Sequence, residues 1–155
     1  CLMPTNVYGI NDKFDKINGH VIPAMISKFI ESKKKKSKFI RLLGTGRPIR
    51  EFIYSDDLAE AIIKCLNVPY RKLRKKFKSK LPIINVGTGE SISISNLSKL
   101  IAKFVNFKGK IIFDKNFPDG TFRKDLNSKK IKDLGWKPKI KLVDGLKQVI
   151  EHRYI

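Results

Sequence analysis

Ile83-Ile84-Asn85-Val86-Gly87-Thr88-Gly89 decides the fold, together with the apolar stripe Leu97, Leu100, Ile101, Phe104 and Val105 that follows it. The apolar run before Gly87 is too short for a helix and is bounded by a glycine turn, as a buried strand is. The later residues recur at i, i+3, i+4, i+7 and i+8, which places them on one face of a helix. Ser93 or Ser95 stands where a hydroxyl can cap that helix. The segment therefore reads strand, tight turn, helix.

The same grammar extends in both directions. Leu2 to Val7 reads as a short buried strand running into a Pro-Thr-Asn turn. Pro23 sits near the start of a helix whose apolar face is Ile22, Met25, Ile26, Phe29 and Ile30. Phe39 to Leu43 reads as a strand closed by Gly44-Thr45-Gly46, and Arg50 to Tyr54 as another extended piece. Ser55-Asp56-Asp57 supplies an N-cap and an acidic first turn for a helix marked by Leu58, Ala61, Ile62, Cys65 and Leu66. Pro69 to Lys80 reads as a basic surface insertion. Ile111 to Phe113 is a further strand, and Asp114 to Lys124 a loop. Ser128 opens a short helix closed by Gly135, and Leu142, Leu146, Val149 and Ile150 mark a last helix. Strands alternating with helices, and glycine turns after strands, predict an α/β fold with a parallel sheet. The strands are too few for a complete doubly wound domain.

At 155 residues the chain is one domain's worth and can bury a core. No apolar run approaches the ~18 residues of a membrane span, and no basic-then-apolar leader is present. The chain opens at Cys1 within an apolar run, which suggests that residues precede it. A net charge of +20 raises the question of nucleic acid. Lysine greatly outnumbers arginine, however, and the lysines are spread over every segment instead of one stripe. The dense clusters Lys33 to Lys38 and Arg71 to Lys80 read as solvated loops. The charge suits an anionic small substrate better. Two cysteines and two widely separated histidines make neither a disulfide framework nor a metal site. Cys65, on a helical apolar face, reads as a buried reduced thiol, and a cytoplasmic setting fits.

Several residues could carry chemistry. Asn18-Gly19-His20-Val21-Ile22-Pro23-Ala24 puts His20 at the open end of a rigid helix, where an imidazole can exchange a proton near neutral pH. Its plainer role is a loop histidine hydrogen-bonded to the helix entry. Gly87-Thr88-Gly89 has the setting of a dinucleotide fingerprint, but Ile92 stands where its third glycine belongs, so the turn reads as structural. Gly44-Thr45-Gly46 fails in the same way. Arg50 can fork onto a diphosphate or simply pair with Glu51. Asp56 and Asp57 read as helix-start residues. In Pro118-Asp119-Gly120-Thr121, Asp119 either sits in an exposed turn or accepts hydrogen bonds from hydroxyl or amide groups.

Taken in order, Pro4-Thr5-Asn6-Val7-Tyr8-Gly9, the His-Val-Ile-Pro-Ala segment, Gly44-Thr45-Gly46 leading to Arg50-Glu51-Phe52, Asn85-Val86-Gly87-Thr88-Gly89 and Pro118-Asp119-Gly120-Thr121 resemble the C-terminal half of the GDP-L-fucose synthases. These are extended short-chain dehydrogenase/reductases of the NAD-dependent epimerase/dehydratase family. The resemblance implies a Rossmann-like fold, with residues 1–155 forming a single incomplete domain: the last Rossmann strands plus a small substrate-binding subdomain, without the N-terminal cofactor-binding half. It implies NADPH-dependent 3,5-epimerisation and 4-reduction of a GDP-4-keto-6-deoxymannose. By the same resemblance His20 is a general acid beside the cofactor, and Pro4, Thr5, Asn6 and Val7 touch the nicotinamide end of NADP(H). Lys28, Leu43, Arg50 and Asp119 hold the GDP-sugar. Leu43 stands where some members carry tryptophan, and Phe122 replaces a common proline. The glycine-rich NADP loop, the serine-tyrosine-lysine reduction set and the cysteine base belong to the upstream half, so this chain alone should be catalytically silent, and the whole enzyme a homodimer. Other readings are another nucleotide-sugar epimerase or dehydratase, a basic nucleic-acid module, and a non-catalytic partner subunit.

Overall fold

A computed structural model of the chain describes residues 1–16, 18–78 and 80–154. Its strands are β1 (Leu2–Pro4), β2 (Asn6–Tyr8), β3 (Phe39–Leu43), β4 (Ile49–Tyr54), β5 (Ile84–Val86), β6 (Ser91–Ser93), β7 (Lys110–Asp114) and β8 (Arg123–Lys124). Its helices are α1 (Val21–Lys34), α2 (Ser55–Leu66), α3 (Tyr70–Phe77), α4 (Ile94–Val105), α5 (Lys129–Lys132) and α6 (Leu142–Tyr154). Four of the strand pairings are parallel: β1 with β5, β2 with β4, β3 with β7 and β4 with β8. Among the described residues only β4 with β6 is antiparallel. The predicted α/β architecture is present, in short sheet pieces instead of one broad sheet.

The larger core forms where α1, α4 and α6 close over β3 and β4. Ile22, Met25, Ile26 and Phe29 of α1 are buried against Leu97, Ile101 and Val105 of α4, with Leu146, Val149 and Ile150 of α6 closing the cluster. The helical spacing that defined these faces is the spacing that buries them, at about 1.5–3 kcal/mol per large side chain. A second cluster surrounds β5, with Ile53, Ala61, Ile84, Val86, Ile131 and Trp136. Ser93 caps α4, its side chain accepting from the Asn96 amide at 3.1 Å. Gly135 adopts φ 82° after α5 while the Trp136 amide reaches back to the Ile131 carbonyl, so the glycine stop of the sequence reading is present.

Four local expectations are corrected. Leu2 to Val7 is not one buried strand. Thr5 breaks it into β1 and β2, which leave to different partners, and Met3 is half exposed. Arg71 to Lys78 is not a solvated loop but lies in and just beyond α3, whose Leu73 and Phe77 lean on the second cluster. The charges all face water, which is why composition alone hid the helix. α2 begins without a side-chain cap: Ser55 bonds Asp56, and Tyr54 holds the cap position. Ile62 and Leu66 of its stripe are exposed, and Cys65 is only half-buried, with burial pushing its thiol pKa up. Among the described residues no helix is long and apolar enough to cross a membrane, and no metal-binding cluster of side chains occurs.

Candidate functional site

Two adjoining cavities open at the start of α1 and share Gly19 and Val21 in their walls. The first, of about 450 Å³, is lined by Lys28 of α1, Leu43 at the end of β3, Arg50 of β4 and Asp119 of the loop after β7. Separate elements thus bring together the residues assigned to substrate in the sequence. The second, of about 520 Å³, is lined by Thr5, Asn6, Val7, Tyr8 and His20. Pro4, named with these in the sequence, is exposed on β1 and forms no part of that wall.

His20 is the N-cap residue of α1 and contributes its backbone carbonyl, which accepts from the Ala24 amide at 3.0 Å. Its side chain makes no capping bond. The imidazole is therefore not spent on the helix entry. It is 82% exposed, with Nδ1 3.5 Å from Oδ1 of Asp12, a carboxylate only 14% exposed. A mostly buried acid beside one ring nitrogen leaves the other available to a ligand in the second cavity. Asp12 had no distinguishing mark in the sequence.

Glu51 was missed as a site residue and explains much of the geometry. It is completely buried in β4. Its Oε1 accepts from the Gly89 amide at 2.7 Å and the Thr88 hydroxyl at 3.3 Å, and its Oε2 from the Leu126 amide at 2.9 Å. Its backbone carbonyl accepts from Asn6 Nδ2 at 2.7 Å and Thr5 Oγ1 at 3.0 Å, fixing two walls of the second cavity. Pairing of Arg50 with Glu51 is ruled out, since that carboxylate points into the 87–89 turn. Arg50 instead donates to the neighbouring Ile49 carbonyl at 2.8 Å, and it lines the first cavity.

A carboxylate likewise fills the other glycine turn. Oδ1 of Asp119 accepts from the Thr45 amide at 2.6 Å, and Oδ2 accepts from the Thr45 hydroxyl. Asp119 thus makes the amide and hydroxyl contacts foreseen for it, but to the protein itself. These bonds hold its carboxyl below the ordinary value. They also clamp the 118–121 loop over the first cavity, and Gly44, at φ 81°, comes so close to Asp119 that a Cβ there would collide with its carboxylate.

Both Gly-Thr-Gly turns are occupied by the chain's own carboxylates, so neither offers amides to a pyrophosphate. Asp57 is also buried, its Oδ1 accepting from the Lys139 amide at 2.9 Å and its Oδ2 from the Ile140 amide at 3.0 Å. It anchors the entry to α6 and is structural, as the sequence reading held, though by another route than capping.

Residues 1–87 match the NAD dependent epimerase/dehydratase family. GDP-L-fucose synthase 1 of Arabidopsis thaliana is 41% identical over 149 residues, covering 96% of this chain and 43% of its own length. The crystal structure of a GDP-6-OMe-4-keto-L-xylo-heptose reductase from Campylobacter jejuni superposes with TM-score 0.87 at 33% identity, over 99% of this chain and 53% of that one. A GDP-mannoheptose C4 reductase from the same organism, with NADP bound, gives TM-score 0.82 at 30% identity over 99% of this chain and 52% of the other. The chain spans about half the length of the relatives it matches.

Proposed function

The chain belongs to the NAD dependent epimerase/dehydratase family, and from that premise we propose that it is the C-terminal, substrate-binding half of an enzyme that epimerises and reduces a GDP-4-keto-6-deoxy sugar, as a GDP-L-fucose synthase does. The observation that carries this reading is the convergence of Lys28, Leu43, Arg50 and Asp119 on one cavity beside a second that holds His20.

The division of labour follows from the chemistry. Lys28 and Arg50 face a diphosphate, Arg50 with a planar fork that matches phosphate oxygens. Leu43, more than half exposed at the rim, offers apolar surface to the base or sugar. Asp119 closes the loop side, and a ligand hydroxyl can join Thr45 on its carboxylate. Protons beside a ketone are acidic enough for a positioned base to remove, and reprotonation from the opposite face inverts the centre. His20, with Asp12 at Nδ1, is the proton donor for that second step. NADPH, when bound, supplies hydride to the C4 ketone. Thr5, Asn6 and Val7 line its nicotinamide end, with Thr5 and Asn6 held rigid by the Glu51 carbonyl. The base, the hydride-transfer residues and the adenosine site belong to the N-terminal half of such an enzyme.

The test is a titration of this chain with GDP, read by calorimetry, for the parent and for Arg50→Ala. GDP binds the parent, and Arg50→Ala weakens it by about 1.5–3 kcal/mol, tenfold or more. Supplied with the keto sugar, the chain alone oxidises no NADPH. Absence of GDP binding, or NADPH oxidation by the isolated chain, refutes the assignment.

A further inference from the structure

Lys16 lines the first cavity together with Lys28 and Arg50, although nothing in the sequence pattern singled it out. The one acid in that wall, Asp119, has both carboxylate oxygens engaged by Thr45, so the cavity presents cations to whatever enters. Next to Lys16 the Asp15 carbonyl accepts from the Gly19 amide at 3.0 Å, and Gly19 lines the same cavity. Its ammonium is paired with Oε2 of Glu31 on α1. Glu31 is shared: its Oε1 also takes Lys35 at 2.8 Å, one helical turn on.

We propose that Lys16 is a third anion-binding side chain of this cavity, held by Glu31 until a ligand diphosphate takes it over. The inference rests on the reading of the cavity as a nucleoside diphosphate site. The exchange is inexpensive. Lys16 and Glu31 are both substantially exposed, where an ion pair contributes little. Glu31 keeps Lys35 when Lys16 leaves, so no carboxylate is stranded. A diphosphate brings more charge than one carboxylate and has oxygens enough for an ammonium beside the Arg50 fork.

The experiment titrates the chain, Lys16→Met and Glu31→Gln with GDP and with guanosine, at low and at high salt. Lys16→Met weakens GDP about five- to tenfold at low salt and leaves guanosine unchanged, and the difference shrinks as salt screens the contact. Glu31→Gln, which frees Lys16, tightens GDP. Equal GDP affinity of Lys16→Met and the parent overturns the inference, as does an equal loss for guanosine, which has no phosphate. Weaker GDP binding by Glu31→Gln overturns the exchange, since Glu31 would then be positioning Lys16. A parent chain that binds guanosine and GDP alike refutes Lys16 as a phosphate contact, whereas one that binds neither refutes the site on which the inference rests.

Discussion

Replacing Glu51 by glutamine tests whether one buried carboxylate pins the 87–89 turn and the Leu126 backbone to β4. The change is isosteric, so packing around β4 is retained. It fails on hydrogen bonding. Oε1 accepts from Gly89 and Thr88, and Oε2 from Leu126. In the better of two orientations the amide oxygen keeps Gly89 and Thr88, and the amide nitrogen meets the Leu126 N–H donor to donor. One orphaned buried amide costs about 1–3 kcal/mol, and demoting the Gly89 contact from charge-assisted to neutral about 1 kcal/mol more. A loss of about 2–4 kcal/mol lowers the melting temperature by about 5–15 °C for a chain of this length. Thermal melts followed by circular dichroism, with urea unfolding to check that the m-value is unchanged, give the number. Glu60→Gln is the control: that carboxylate pairs with Lys139 at the surface, 45% exposed, and its removal stays below about 1 kcal/mol. If Glu51→Gln melts within a degree of the parent, or no lower than Glu60→Gln, the account of Glu51 as a hub is wrong.

Asp57→Ala strands the Lys139 and Ile140 amides in a buried position and is expected to cost about 2–4 kcal/mol, read as a lower urea midpoint. Asp57→Asn recovers part of that, because its amide oxygen can still serve one of the two donors. In acid, the Glu31 and Asp119 carboxyls are both held below their ordinary values, Glu31 by the Lys16 and Lys35 contacts and Asp119 by its bonds to Thr45. The folded state then binds fewer protons than the unfolded one, so their contribution is complete above the ordinary values of 4.5 and 3.8 and is lost as pH falls through the folded pKa values, about 2 for Glu31. Melting temperatures taken from pH 6 down to pH 2 fall for the parent below about pH 4.5 and fall less for Glu31→Gln combined with Asp119→Asn. A parallel fall in both proteins sinks that account.

The helices were legible because their signal is periodic and local. Ile22, Met25, Ile26 and Phe29 specify α1 whatever the rest of the chain does, and Leu97, Ile101 and Val105 do the same for α4. Strand identity was harder where strands are short. Two to three residues of β2, β6 and β8 give no alternation to count, and each exists because β4 offers it an edge. α3 escaped for the opposite reason: its charged residues outnumber the two apolar ones that dock it, so composition spoke for water while Leu73 and Phe77 decided the packing.

The two Gly-Thr-Gly turns expose the deeper limit. By sequence they are the same object: glycines after a strand that could cradle a phosphate. What separates such a turn from a phosphate loop is whether its amides point at solvent or at a carboxylate of the chain itself. For Gly89 that carboxylate lies 38 residues away, and for Thr45 it lies 74 residues away. No local pattern carries that information. It follows that the residues around these turns differ in kind. Glu51 is fully buried and serves three donors, so no ligand can displace it without unfolding the strand. Asp119 sits on a half-exposed loop and answers to one residue, Thr45. With its bonds to Thr45 intact, the Asp119 carboxylate still has lone pairs to accept from a ligand hydroxyl. Of the two turns, the one at Thr45 contributes to the wall of the first cavity, through Gly46 and the Asp119 it holds, beside Arg50.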